Sequence, residues 1–258
     1  MNGSQLARTP VGQRILDHLV GDRIDPQHLE TISQTALYAT VTWCAEWESS
    51  LRWSPCPDPP AAWLRIASTQ EGDALADAVT KCAAAQWWSA PALDRTQLWI
   101  GARDASPGPG HPSPRHYGKP HNEIWTSSAL DDGSSAWWHL LRQGADSPPP
   151  DVAQSVWRLT PRADARVYEI NAPDDWARLC EAFPVVVADG YVGPDWDAVA
   201  AEYDGVHLSV EGLIRAQCVE VETAYGTAKL DTWDAESTAW LQWCFDAVAR
   251  VGEVEPDP

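Results

Sequence analysis

The sequence predicts an α+β fold, with a helical N-terminal region over residues 1–94 and an α+β core domain over residues 95–258. Three observations predict it. Between about residue 10 and residue 90, apolar side chains recur at three- and four-residue spacing, the period of a helix with one buried face. From Arg95 the pattern changes to short apolar runs of strand length and composition. Those runs mix with short helical segments without βαβ regularity, which argues against a doubly wound sheet.

In the first region, Asp25-Pro26 can start a helix, Asp as cap and Pro in the first turn. Gln27–Trp53 then carries Leu29, Ile32, Ala36, Leu37, Val41, Cys44 and Trp47 at helical spacing until the loop Ser54–Pro60. A second helix is expected over Glu71–Trp88, stopped by Ser89-Ala90-Pro91. None of these residues is an evident catalyst, so the region reads as a lid or buttress. In the core, Gln97–Ala102 and Glu123–Ser128 read as strands, with the Pro/Gly/His loop Ala105–Pro120 between them. The turn Asp131-Asp132-Gly133 leads to a helix over Ser134–Arg142, followed by the loop Gly144–Pro150. Ser155–Thr160 and Ala165–Ile170 are expected strands, Pro173–Phe183 and Pro194–Tyr203 helices that open with acidic first turns. Asp204–Val210 is expected to be a strand, and the tail Gly252–Pro258 to be frayed.

Composition narrows the function classes. The net charge of −19 disfavours extended nucleic-acid binding, because an acidic surface repels phosphate. No apolar run reaches the roughly 18 residues of a membrane span. The first twenty residues lack the basic-then-apolar pattern of a secretory signal, so a cytoplasmic location is expected. Lys is scarce (Lys81, Lys119 and Lys229) while Trp is abundant, a composition expected of a high-GC bacterial genome. The six cysteines form no CxxC pair and no zinc spacing, and read as small core residues. His111, His116 and His121 are spaced five apart in or beside the long loop, but no carboxylate or Cys pattern completes a metal site. Most of the sixteen Trp against two Phe are expected in the core, a minority lining a pocket that stacks a planar ligand.

The chemistry concentrates in Thr232–Phe245, TWDAESTAWLQWCF, where Asp234 and Glu236 stand two apart among Trp233, Trp240 and Trp243. On a helix, Glu236 would share a face with the three indoles; on a strand, Asp234 and Glu236 would point the same way. In either case Glu236 sits where water is scarce, and a carboxylate there is costly unless paired or useful. Elsewhere, Arg103 lies just beyond a strand, an Arg fork suited to phosphate. Thr126, Ser127 and Ser128 end another strand with hydroxyls that can position a sugar or phosphate, and Trp125 and Trp137 can stack a flat ring.

This order of strand-associated Arg103, hydroxyl string Thr126-Ser127-Ser128 before a helix, and final pair Asp234-x-Glu236 resembles ADP-ribosyltransferases of the Arg–Ser/Thr/Ser–Glu type, over roughly residues 97–240. RVYEINAP (Arg166–Pro173) is similar to a central strand of some bacterial members. The string reads TSS where the family has STS, and Asp234 stands where the family has Glu or Gln. The resemblance implies a mainly antiparallel split-sheet core and NAD as the substrate. It implies that Glu236 anchors the ribose 2′-hydroxyl while the nicotinamide–ribose bond loosens, and that Arg103 grips the pyrophosphate or ribose. Thr126 and Ser127 would hold the nicotinamide ribose and ring, and the acceptor would be a protein side chain, a small molecule or water. His207 either faces the same pocket, holding ribose or acceptor, or is a hydrogen-bonded histidine within a sheet. The competing expectation is a non-enzymatic, acidic, Trp-rich binding or inhibitor protein that docks on a basic partner; an unrelated enzyme built on the His-rich loop ranks last.

Overall fold

The structure is a computed structural model and describes residues 1–53, 69–89, 93, 96–109, 119–120, 124–143, 153–187, 190–231 and 233–255. It is α+β: a helical N-terminal region precedes two mostly antiparallel sheets. The N-terminal helices are α1 (Gly3–Leu6), α2 (Pro10–Gly21), α3 (Gln34–Trp53) and α4 (Gln70–Lys81). The helix expected from Gln27 is broken in two. Asp25 accepts from the His28 backbone N–H (2.8 Å) ahead of a 3-10 turn, His28–Glu30, and the chain restarts at α3, where Ser33 Oγ accepts from Ala36 N (3.1 Å). The helix expected over Glu71–Trp88 likewise breaks at Cys82, whose ψ of 152° is extended, and continues as a 3-10 turn, Ala83–Ser89. The loops Ser54–Pro60 and Gly144–Pro150, together with His111, His116 and His121, lie outside the described residues.

The core follows as β1 (Gln97–Ala102), β2 (Ile124–Ser128), α5 (Ala136–Gln143), β3 (Gln154–Pro161), β4 (Val167–Ile170) and α6 (Pro173–Ala182). Next come β5 (Pro184–Val186), β6 (Tyr191–Pro194), α7 (Trp196–Glu202), β7 (Gly205–Leu208) and α8 (Val210–Ala216). The chain ends with β8 (Glu220–Thr223), β9 (Gly226–Lys229), β10 (Ser237–Trp240) and β11 (Phe245–Val254). The larger sheet has the order β11-β3-β1-β2-β10-β7-β4, with β4 and β7 its one parallel pair; the smaller has the order β5-β6-β9-β8. The tail expected to fray instead pairs with β3 as β11 through Val254. Asp204–Val210 divides: the strand ends at Leu208, and Ser209 Oγ accepts from Gly212 N (3.0 Å) to start α8.

One face of the larger sheet packs against the helices. Val206, Ala239 and Ile170 join Leu16, Leu37, Val41 and Leu213 in a shared core, so the N-terminal helices cover the sheet rather than standing apart. Tyr38 and Trp233, both fully buried, belong to the same cluster. The opposite face carries the polar side chains described next.

Candidate functional site

Paired residues on neighbouring strands share a face of a sheet. The register therefore sets Glu169 (β4) beside His207 (β7), His207 beside Thr238 (β10), and Thr238 beside Thr126 (β2). Alternation sends their apolar neighbours Ile170, Val206 and Ala239 to the helical side. The outcome is a polar row across four strands, in which Thr126 and Thr238 are fully buried and His207 is 6% exposed. Buried polar atoms need partners, and this row has them.

Its inner part is hydrogen-bonded around Gln97 of β1. Thr126 Oγ1 donates to Gln97 Oε1 (2.7 Å) and accepts from Trp240 Nε1 (2.7 Å), and Thr238 Oγ1 donates to the same Gln97 oxygen (3.2 Å). Its charged part is a chain of carboxylate, imidazole and carboxylate. His207 Nδ1 lies 2.5 Å from Glu169 Oε2 and His207 Nε2 lies 3.0 Å from Glu236 Oε1. Glu236, 1% exposed, also takes the Ser128 hydroxyl (2.8 Å) and the Ser128 backbone N–H (2.9 Å), while its own N–H donates to the Tyr38 hydroxyl (2.8 Å).

Burial alone would push the His207 imidazolium down, but the hydrogen bonds and charges of Glu169 and Glu236 outweigh it and lift its pKa to about 9. At neutral pH His207 is therefore a cation with both ring N–H groups donating. It offsets two carboxylates that would otherwise repel each other in a place of low dielectric. The outer end of this chain opens to a hollow: Glu169 borders a space of about 280 Å³ with Leu93, Pro161, Arg162, Ala163, Ala165 and Val167, and its Oε1 accepts from Leu93 N (3.1 Å). One imidazole thus links the rim of the hollow to the buried Glu236.

Of the residues singled out from sequence, Glu236, Ser128 and His207 meet directly, and Thr126 stands on the same face one strand away. Ser127 points to the other face, where its hydroxyl bonds Ser135 Oγ (2.7 Å) and accepts from Trp137 N (2.9 Å), tying the start of α5 to β2. Trp125 and Trp137 stack on that same side, with ring centroids 6.0 Å apart. Asp234 does not point with Glu236. The segment is neither the helix nor a regular strand at that point: Asp234 has a φ of 64°, which breaks the alternation, and it accepts from Gln217 Nε2 (2.8 Å).

Arg103 is not part of this site. Gln97, at the start of β1, faces Ser128, and Arg103 follows the other end of that six-residue strand. At about 3.4 Å per residue it lies about 20 Å further along. There it is half-exposed and paired with Glu253 (3.1 Å) and Glu255 (3.4 Å). The expected convergence of guanidinium, hydroxyls and acid is therefore corrected to hydroxyl, acid and imidazolium. Sequence reasoning missed Glu169, Gln97 and Tyr38. The signal for Glu169 was its place in the alternating run Val167–Ile170, an ionisable side chain between Tyr168 and Ile170 just as His207 stands between Val206 and Leu208. Comparison of the chain with protein-family models, with curated proteins and with solved structures found no match.

Proposed function

We propose that this chain is an NAD-consuming enzyme of the ADP-ribosyltransferase or NAD glycohydrolase kind, with Glu236 as the residue that engages the substrate ribose. The observation that carries the reading is the hold of Ser128 on Glu236: the last residue of the hydroxyl string gives both its N–H and its hydroxyl to a carboxylate 108 positions away. The end of the hydroxyl string thus touches the acid, while Ser127 and Arg103 lie elsewhere, and the split-sheet fold the resemblance implies is compatible with two mostly antiparallel sheets.

In this reading the bond between ribose C1′ and the pyridinium nitrogen breaks with its electron pair moving to the ring. Nicotinamide then leaves neutral, and positive charge gathers at C1′. A carboxylate held in a dry, preorganised setting stabilises that charge. Glu236 supplies it, steadied by Ser128 and by the His207 cation; because it is 1% exposed, the site must open inward from the hollow at Glu169 before its remaining lone pairs anchor the 2′-hydroxyl. The acceptor, water or a nucleophile of a protein or small molecule, closes on C1′ and releases its proton, for which Glu169 at the rim of the hollow is a base connected to the site. Arg103 has no role here, and Trp125 and Trp137 face away from Glu236, on the side of α5. A cytoplasmic location accords with the free, buried thiols of Cys44, Cys82, Cys180 and Cys244. Among the described residues no helix is long and apolar enough to cross a membrane.

The competing reading, an acidic binding protein, is favoured by one observation: Glu236 is ion-paired and buried, as a purely structural carboxylate would be. It also calls for tryptophans on an outer patch, and among the described residues Trp243, at 38%, is the one Trp that is exposed. The test is to incubate the purified protein with NAD and quantify free nicotinamide by chromatography. Release by the wild type, lowered about 100-fold or more in Glu236→Gln, supports the enzyme. No release and no NAD binding by calorimetry would leave the binding reading.

A further inference from the structure

The most unusual charge outside the Glu236 chain is Lys119, one of three lysines in the sequence. Its ammonium sits 5.5 Å from the ring centroid of Trp125 and 5.8 Å from that of Trp137. Among the described residues no carboxylate lies within 4.0 Å of it. Burial lowers the pKa of Lys119, with the charge of Asp234 acting in the opposite sense.

The two indoles are built to stay where they are. Trp125 is carried by β2, and its ring meets the edge of Trp233 at 5.2 Å; Trp233 is fully buried and its Nε1 donates to Ser237 Oγ (2.8 Å). Trp137 is carried by the first turn of α5, which Ser127 ties to β2 through the Trp137 backbone N–H (2.9 Å). The rings stack 27° from parallel, and the Lys119 ammonium lies within cation–π range of both. The negative charge of Asp234 acts on Lys119, and its carboxylate is held by Gln217 Nε2 (2.8 Å).

A primary ammonium is a poor occupant of such a place. It keeps the attraction to the π faces but forfeits water on three N–H donors that indole rings replace weakly. A cation with no N–H gives up no donor hydrogen bonds in the exchange, and its charge is spread over a more weakly hydrated apolar shell. We propose that Trp125, Trp137 and Asp234 form a binding site for an organic cation lacking N–H donors, a site that Lys119 fills until such a ligand displaces it. The shared chemistry is a permanent positive charge inside an apolar shell, carried either by a quaternary ammonium or by an N-alkylated aromatic ring. The inference stands on the face of the sheet opposite Glu236 and does not depend on the reading of that residue.

Calorimetry on the full chain tests it, with choline and 1-methylpyridinium as chloride salts and 3,3-dimethyl-1-butanol as the neutral isostere of choline, all at matched ionic strength. One or both cations bind saturably and the neutral alcohol does not; the preferred cation identifies the source as aliphatic or aromatic. Lys119→Ala, which removes the resident ammonium, tightens binding about three- to tenfold. Trp137→Leu abolishes it, with circular dichroism to confirm folding. Equal binding of choline and its neutral isostere overturns the proposal, as does a Lys119→Ala protein that binds the cations no better than the wild type or not at all. The Lys119 comparison decides the matter even if Trp137→Leu fails to fold.

Discussion

Replacing His207 with glutamine should remove a pH dependence that the wild type carries. The imidazole is raised from 6.5 to about 9 in the folded protein, because it donates to Glu169 and Glu236 at once. A basic group with a raised folded value contributes stability that is complete below its unfolded value and fades as pH climbs through the folded one. The window is therefore between 6.5 and about 9. The difference corresponds to about 3 kcal/mol, or about 6–12 °C in Tm for a chain of this size. His207 is buried, so solvent screening takes little from that figure. The assay is urea unfolding of wild type and His207→Gln at pH 6 and pH 10, read as the difference between the two proteins so that other titrating groups cancel, with an NMR titration of the imidazole alongside. Wild type should lose about 3 kcal/mol more than the variant across this interval. Equal losses, or an imidazole midpoint at or below 6.5, would refute the claim that two carboxylates hold a cation between them.

Two other outcomes follow from the geometry. Gly212→Ala should cost at least about 3 kcal/mol in denaturant unfolding, because a Cβ there would meet the Ile170 carbonyl oxygen, a backbone atom that cannot swing aside. A Gly212→Ala protein as stable as the wild type would mean that α8 does not approach the Ile170 carbonyl at the end of β4. Arg103→Ala should cost less than about 1 kcal/mol, since its pairs with Glu253 and Glu255 are solvent-exposed. It should also leave nicotinamide release unchanged, and a large loss of turnover would restore Arg103 to the site.

The contrast between Ser128 and Arg103 explains how much of the site was legible. Ser128 is the last residue of one short apolar strand and Arg103 follows the end of another, and by pattern they look equivalent. Yet β1 and β2 run antiparallel, so their C-terminal ends lie at opposite edges of the sheet. Pairing direction is a non-local property, and one-dimensional order does not contain it. The meeting of Glu169 with His207 was hidden for the same reason: it depends on the parallel register of β4 with β7, residues 38 apart. The smaller sheet escaped because its strands are three or four residues long, with charge in the alternation, as in Glu220-Val221-Glu222-Thr223, and they are stabilised by partners rather than by their own composition.

Local chemistry was within reach of the amino-acid order alone. Helical period marked the N-terminal region, and apolar runs marked β1, β2, β3 and β4 to within a few residues. A carboxylate among indoles marked Glu236 as buried and in need of partners. Such features depend on neighbours a few positions away, where covalent geometry sets the contacts. Which donor satisfies that carboxylate, which strand end Arg103 occupies and which face Asp234 turns to were decided only by the assembled sheet, because hydrogen bonds between strands join residues that the chain itself keeps far apart.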